Sequence, residues 1–163
     1  MLGVEVYAIR HTNHGMTDGY RFQHEKDTLI VPLMRGGDLM AFGVSKALKS
    51  ASFAHAREYQ DIVKGLLSGK RTINLVDSVI NSGSSIVKFL IPLREEYPDV
   101  RVVVVTGVVQ AEAVETTEFA RMLEVDGKLT LVALRKSGNK YVGSGASDTG
   151  DRLFNTSYLE KGE

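Results

Sequence analysis

The stretch Ile73–Ile86, INLVDSVINSGSSI, decides how this chain folds. A short apolar run ends in Asp77, and a loop of small residues then opens onto a helical pattern. Ile86, Val87, Phe89, Leu90 and Leu93 share one face at helical spacing, and the segment is predicted to run from Ser84 to Glu96. Pro98 stops it. A buried strand, a tight loop and an amphipathic helix in succession are the unit of an α/β fold.

Working outward, the same unit recurs. Val4–Ile9 alternates as a strand does. Thr28–Leu33 (TLIVPL), Thr72–Val76 (TINLV), Arg101–Val105 (RVVVV) and Leu129–Leu134 (LTLVAL) are continuous apolar runs. Runs of this length suit strands buried on both faces, hence a mostly parallel sheet. Helical patterns fall between them, at Leu39–Leu48, Ser84–Glu96 and Glu112–Leu123. The expected fold class is α/β, a mostly parallel sheet flanked by helices. No repeat, low-complexity tract or linker divides the chain, so residues 1–163 are read as one domain.

Glycine gathers at Gly36-Gly37, at Gly83 and at Gly143, Gly145 and Gly150. In an open parallel sheet the ligand site lies at the carboxyl ends of the strands, where such loops collect. The loop Asn81, Ser82, Gly83, Ser84, Ser85 has the makings of a phosphate cradle. Backbone N–H groups and three hydroxyls converge at a helix N-terminus, and Gly83 lets the backbone turn close to a ligand. Asp77 is placed to accept hydrogen bonds from sugar hydroxyls. The plainer alternative is that Ser82 or Ser84 caps the helix and nothing binds.

The bulk composition narrows the classes. The chain has 163 residues, 20 basic and 20 acidic, so its formal net charge is zero. No global pull toward nucleic acid or an anionic membrane follows. Without cysteine there is no disulfide framework, thiolate metal site or cysteine nucleophile. The apolar runs fall far short of the roughly 20 residues of a membrane span, and the N-terminus lacks a signal-peptide pattern. A cytoplasmic protein is expected.

Three ordered segments carry a family resemblance. Ile73–Ile86 resembles the phosphoribosyl-diphosphate (PRPP) signature of type I phosphoribosyltransferases: a strand, an acidic residue, then a Ser/Thr-Gly loop. Ser78 stands where other branches carry a second acid, as in the uracil branch. Ile30–Gly37 (IVPLMRGG) is similar to the strand and loop in which uracil phosphoribosyltransferases hold an arginine against diphosphate; Arg35 matches it. Lys140–Thr156 (KYVGSGASDTGDRLFNT) resembles the uracil-branch C-terminal signature. There Asp148, Gly150, Asp151, Arg152, Phe154 and Thr156 match, and Asn155 replaces a glycine. The chain is also similar to the uracil phosphoribosyltransferase-like domain that follows uridine kinase in fused proteins.

The resemblance implies a type I phosphoribosyltransferase fold and the reaction uracil plus PRPP giving UMP and diphosphate. It implies Arg35, Asp77 and Asp148 as catalytic residues, and Asn81, Ser82, Gly83, Ser84, Ser85 and Arg57 on the PRPP phosphates. Main-chain groups around Val142, Gly143, Gly145 and Ser147 would read uracil. Mg2+ is the implied cofactor, with Asp148 on the metal side. PRPP, uracil or UMP are the implied small-molecule partners, in a homodimer or higher homo-oligomer, with no nucleic acid and no membrane.

Departures from the family pattern keep a second reading open. Ser84 and Ser147 add side chains where the family has glycine, and residues 1–27 read as a divergent N-terminal extension. The family hairpin that supplies an Arg-x-Glu element is shortened, with Arg57 as the counterpart of its arginine. The alternative is a catalytically inactive module that binds UMP, PRPP or a partner subunit. Other motifs carry less. Gly65–Thr72 looks like a damaged P-loop but has one residue too few and precedes a strand. His11 and His14 have no third ligand at suitable spacing, and Glu112 and Glu115 read as a solvated helix face.

Overall fold

The computed structural model describes residues 3–139 and 149–156. Strands β1 (Val4–His11) and β2 (Gly15–Phe22) form an antiparallel hairpin of their own. The main sheet consists of β3 (Thr28–Pro32), β4 (Ser52–Phe53), β5 (Thr72–Ile80), β6 (Arg101–Gln110) and β7 (Leu129–Ser137). Their spatial order is β4-β3-β5-β6-β7, and every neighbouring pair is parallel. Counted within the sheet this is the order 2-1-3-4-5, so winding reverses between β3 and β5, where open α/β sheets place their ligands.

Helices lie on both faces. Helix α1 (Asp38–Ala47) follows β3, the short α2 (Lys64–Leu67) precedes β5, and α3 (Ser84–Glu96) follows β5. Alternate side chains of a strand face opposite ways, and the burial follows that rule. Leu29, Val31, Leu75, Val102 and Val104 pack with Phe89, Leu90 and Leu93 of α3 in the larger core. Ile30 and Val76 point the other way, onto Ala41 of α1. Full burial of each large apolar side chain contributes about 1.5–3 kcal/mol, so apolar continuity along these runs is what the two-sided core requires. The α1 cover does not reach the edge strand β7, whose Val132 and Leu134 stay exposed.

Three expectations need correction. The runs expected to end at Val76, Val105 and Leu134 continue to Ile80, Gln110 and Ser137, because β5, β6 and β7 keep pairing through polar residues such as Asp77 with Thr106. Asp77 is therefore inside a strand, not at its end. The single helix expected over Glu112–Leu123 is two, α4 (Ala111–Glu115) and α5 (Glu118–Val125). Thr117 breaks it: its hydroxyl donates back to the Ala113 carbonyl at 2.7 Å and accepts from the Ala120 N–H at 3.3 Å, capping the new helix. The strand β2 and its hairpin had no counterpart in the sequence reading. The damaged P-loop is α2 followed by a turn with Gly69 at φ +74°, and His11 and His14 flank the hairpin turn with ring centroids 4.8 Å apart.

Candidate active site

The register of the sheet creates the opening. Pairing of β3 with β5 stops at Pro32–Val76, whereas β5 and β6 stay paired to Ile80–Val109. Past Val76, β5 thus loses its neighbour on one side, and Asp77, Ser78 and Val79 become half-buried rather than buried. The loop leaving β3 fills the entrance to this gap. Its Met34–Arg35 peptide is cis. A Cβ built on Gly36 would lie 3.1 Å from Ser78 Oγ and 3.3 Å from Asp77 Oδ1. The loop of Arg35 and the acidic residue of the signature strand therefore meet at the point where winding reverses.

The C-terminal motif closes on the same loop. Helix α6 (Thr149–Leu153) carries Gly150, Asp151 and Arg152, and Arg35 Nη1 donates to Thr156 Oγ1 at 3.4 Å. Asn155 adopts φ +53°. That is the left-handed region, which favours glycine and which Asn enters more readily than most residues. Asn155 thus holds a backbone conformation that a glycine would also adopt. Sequences 121 residues apart are joined here.

On the other side of the opening, Gly83 begins α3 in the left-handed conformation, with φ +76°. Gly83, not a serine, occupies the N-cap position, so the plain serine-cap alternative does not hold as stated. Ser82 Oγ instead accepts from the Ser84 N–H at 3.3 Å and donates to Ser84 Oγ at 3.1 Å. Asn81, Ser82, Ser84 and Ser85 are exposed around the helix N-terminus, and the first turn holds no acidic residue. An uncompensated N-terminus of this kind carries about half a positive charge and favours anions.

Arg57 follows Ala56, which forms a bridge with Leu33, and the Met34 N–H bonds the Ala56 carbonyl at 3.0 Å. Arg57 is exposed beside the Arg35 loop. Its N–H and that of Glu58 both donate to Asp61, holding that carboxyl below its ordinary pKa. Val142, Gly143, Gly145, Ser147 and Asp148 lie outside the described residues. A cavity of about 350 Å3 at the ends of β5, β6 and β7 is lined by Val79, Gln110, Arg135, Thr149 and Arg152. The buried Gln110 was missed in the sequence because a Gln at a strand end has no distinguishing pattern.

No group of three or more His, Cys, Asp or Glu side chains able to hold a metal occurs among the described residues. Mg2+ commonly keeps waters and rests on one or two carboxylates plus substrate phosphates, and Asp77 in the opening is an acid that fits that mode. Among the same residues, no helix is long and apolar enough to cross a membrane.

A parallel sheet of this order, with an anion-favouring loop after β5 and an arginine loop against Asp77 and Ser78 across the opening, is the arrangement expected of a phosphoribosyltransferase. Solved structures agree on the fold. A protein of Aquifex aeolicus superimposes with a TM-score of 0.63 at 19% identity, covering 93% of this chain and 75% of that one. The xanthine-guanine-hypoxanthine phosphoribosyltransferase of Helicobacter pylori gives 0.50 at 18% identity, covering 78% of each chain. A family model described as uracil phosphoribosyltransferase matches residues 1–156, and this chain belongs to that family. The uracil phosphoribosyltransferase of Dictyoglomus thermophilum is 30% identical over 142 residues, which are 80% of this chain and 67% of that protein. That of Fervidobacterium nodosum is 26% identical over 152 residues, 86% of this chain and 71% of that protein.

Proposed function

We propose that this chain transfers the 5-phosphoribosyl group of PRPP to uracil, giving UMP and diphosphate. The observation that carries the reading is the meeting of the Arg35 loop, Asp77 and Thr156 at the opening between β3 and β5. In the reaction the bond from ribose C1 to the diphosphate oxygen breaks, a bond from C1 to a ring nitrogen of uracil forms, and that nitrogen loses its proton. Positive charge develops on the ribose, and negative charge on the departing diphosphate.

Each group has a role set by its chemistry. The Arg35 guanidinium offers forked donors to diphosphate oxygens. Asp77 accepts from the ribose hydroxyls. The loop Asn81–Ser85 and the α3 N-terminus hold the 5′-phosphate, with Arg57 at the outer edge. Main-chain groups of Val142, Gly143, Gly145 and Ser147 read the base, and a site that pairs a polar edge rejects analogues lacking it. Asp148 stands on the diphosphate side. Mg2+ entering with PRPP would neutralise the leaving group. The chain is further proposed to work in the cytoplasm, and to do so as a homodimer or higher homo-oligomer that covers the exposed Val6, Met16 and Tyr20 of the hairpin and Leu39 and Phe42 of α1.

One observation favours the second reading, an inactive binding module. The Ser82 hydroxyl is engaged by Ser84, a side chain the family does not have at that position. Titration calorimetry with PRPP–Mg2+ and with UMP, followed by a UMP-formation assay on the same preparation, separates the two. Binding with turnover establishes the transferase. Binding without turnover leaves the module, and no binding of either ligand ends both.

A further inference from the structure

A second cavity is at the opposite end of the sheet from the opening just described. It has a volume of about 690 Å3, within the range of about 300–1,000 Å3 typical of small-ligand pockets. Its walls are the amino ends of β5 and β6, the chain entering β3 and β7, and the C-terminal end of α3. With about 3.3 Å per residue along β5, it lies roughly 25 Å from the phosphate loop.

Its chemistry is one-sided. Lys70, Arg71, Arg101 and Lys128 line it together with His24. The two lining carboxylates already have lysine partners: Glu96 pairs with Lys64 at 3.2 Å and Asp99 with Lys128 at 2.5 Å. Among the described residues, Lys70, Arg71 and Arg101 have no carboxylate partner. Lys70 Nζ is held by the Lys26 carbonyl at 2.9 Å and by Ser52 Oγ at 2.7 Å, contacts that orient it without neutralising it. Arg71 Nη1 lies 3.1 and 3.2 Å from the two ring nitrogens of His24, whose Nδ1 is itself 3.2 Å from Asp27 Oδ2, so the nearest carboxylate on that side is engaged by the imidazole and not by the guanidinium. The C-terminus of α3 supplies only about half a negative charge. Three cations therefore share one concavity whose neighbouring carboxylates are already engaged by Lys64, Lys128 and His24, an arrangement that favours an entering anion.

The remaining wall is apolar. Tyr97 is half-buried, Val100 is buried, and Pro98 lies between them. A wall of this kind beside unpaired arginines matches a ligand with a phosphate at one end and an uncharged body at the other. We propose that this cavity is a second anion site, binding a small organic phosphate or polyphosphate, separate from the opening at Asp77. It does not depend on the transferase reading.

The test is an amide NMR titration of the full chain with inorganic diphosphate, which carries the charge without the organic body. Each amide reports its own end of the sheet. Saturable shifts at Thr72, Arg101 and Lys128 are expected, with affinity falling at least tenfold in R71Q/R101Q while any shifts at Asn81–Ser85 keep their wild-type curve. The wild-type map is informative even if the double variant misfolds. Shifts confined to Asn81–Ser85, or non-saturating changes at the far end, overturn the proposal. So does a far-end curve unchanged by R71Q/R101Q in a variant that folds.

Discussion

Gly37 lies so close to Val76 that a Cβ built on it falls 2.0 Å from the Val76 carbonyl oxygen. The same carbonyl accepts from the Leu33 N–H at 2.9 Å, and the Leu33 carbonyl accepts from the Gly37 N–H at 2.9 Å. The loop after β3 and strand β5 thus meet with no room for a methyl group. The need is spatial, since Gly37 has an ordinary φ of −79°. Gly37→Ala is expected to destabilise the fold by about 1–3 kcal/mol, as overpacking does. Urea denaturation measures it, and an unchanged midpoint would show that the loop after β3 yields freely.

Gly83 combines two constraints. Its φ of +76° disfavours any side chain, and a Cβ there would meet Phe119 Cβ at 2.6 Å and the Phe119 ring at 2.8 Å. The conformational part costs about 1–2 kcal/mol. Gly83→Ala is therefore expected to lose more than that. In a Phe119→Ala background the excess should shrink in part, because Cγ and Cδ1 are gone while the Cβ stays. A double-mutant cycle by thermal or chemical denaturation reads the coupling directly. Strict additivity would mean that Phe119 does not brace the loop.

What the sequence made legible follows from local periodicity. Helix α3 runs Ser84–Glu96 as its apolar spacing predicts, because Ile86, Val87, Phe89, Leu90 and Leu93 face one core. The strand cores were legible as apolar runs for the same reason. Strand ends were not. Asp77 and Ser78 stay in β5 because β6 continues to pair with that strand, and pairing with a distant segment leaves no local mark. The break at Thr117 depends on a hydroxyl choosing the Ala113 carbonyl and the Ala120 N–H, a choice that helical periodicity does not encode. In the site, Arg35, Asp77 and the loop at Gly83 were legible as motifs. Gln110 was not, because its burial depends on neighbouring strand ends and α4.

The hydrogen bond from Arg35 Nη1 to Thr156 Oγ1 makes a graded prediction. Arg35→Ala removes the guanidinium itself and is expected to weaken PRPP–Mg2+ binding by at least about tenfold, the scale of a charge-assisted hydrogen bond of about 1.5–3 kcal/mol. Thr156→Val keeps the charge and removes the hydroxyl that accepts from the arginine, so it should cost about threefold or less, in keeping with one neutral partner of about 0.5–1 kcal/mol. Titration calorimetry orders the two. Equal losses would mean that Thr156 acts on PRPP itself, not through the arginine.

Tyr59 offers a prediction in pH. It is 7% exposed, its ring stands edge-on to Phe89 with centroids 5.6 Å apart, and its hydroxyl is buried without a hydrogen-bond partner. Burial first, and then the Glu96 carboxylate, push the phenol from 10.0 up to about 12. The folded chain therefore holds this proton more tightly than the unfolded one. The resulting stability is present in full below pH 10 and is lost as pH rises from there through about 12. Tyr59→Phe has no phenol to ionise, so its stability should fall less than that of the wild type through this window, and the two curves should separate as pH rises. Below the window it is expected to lie within about 1 kcal/mol of the wild type, because the hydroxyl makes no hydrogen bond of normal length and has the Glu96 carboxylate near it. Parallel curves of unfolding free energy against pH would show that Tyr59 ionises as freely in the folded chain as in the unfolded one.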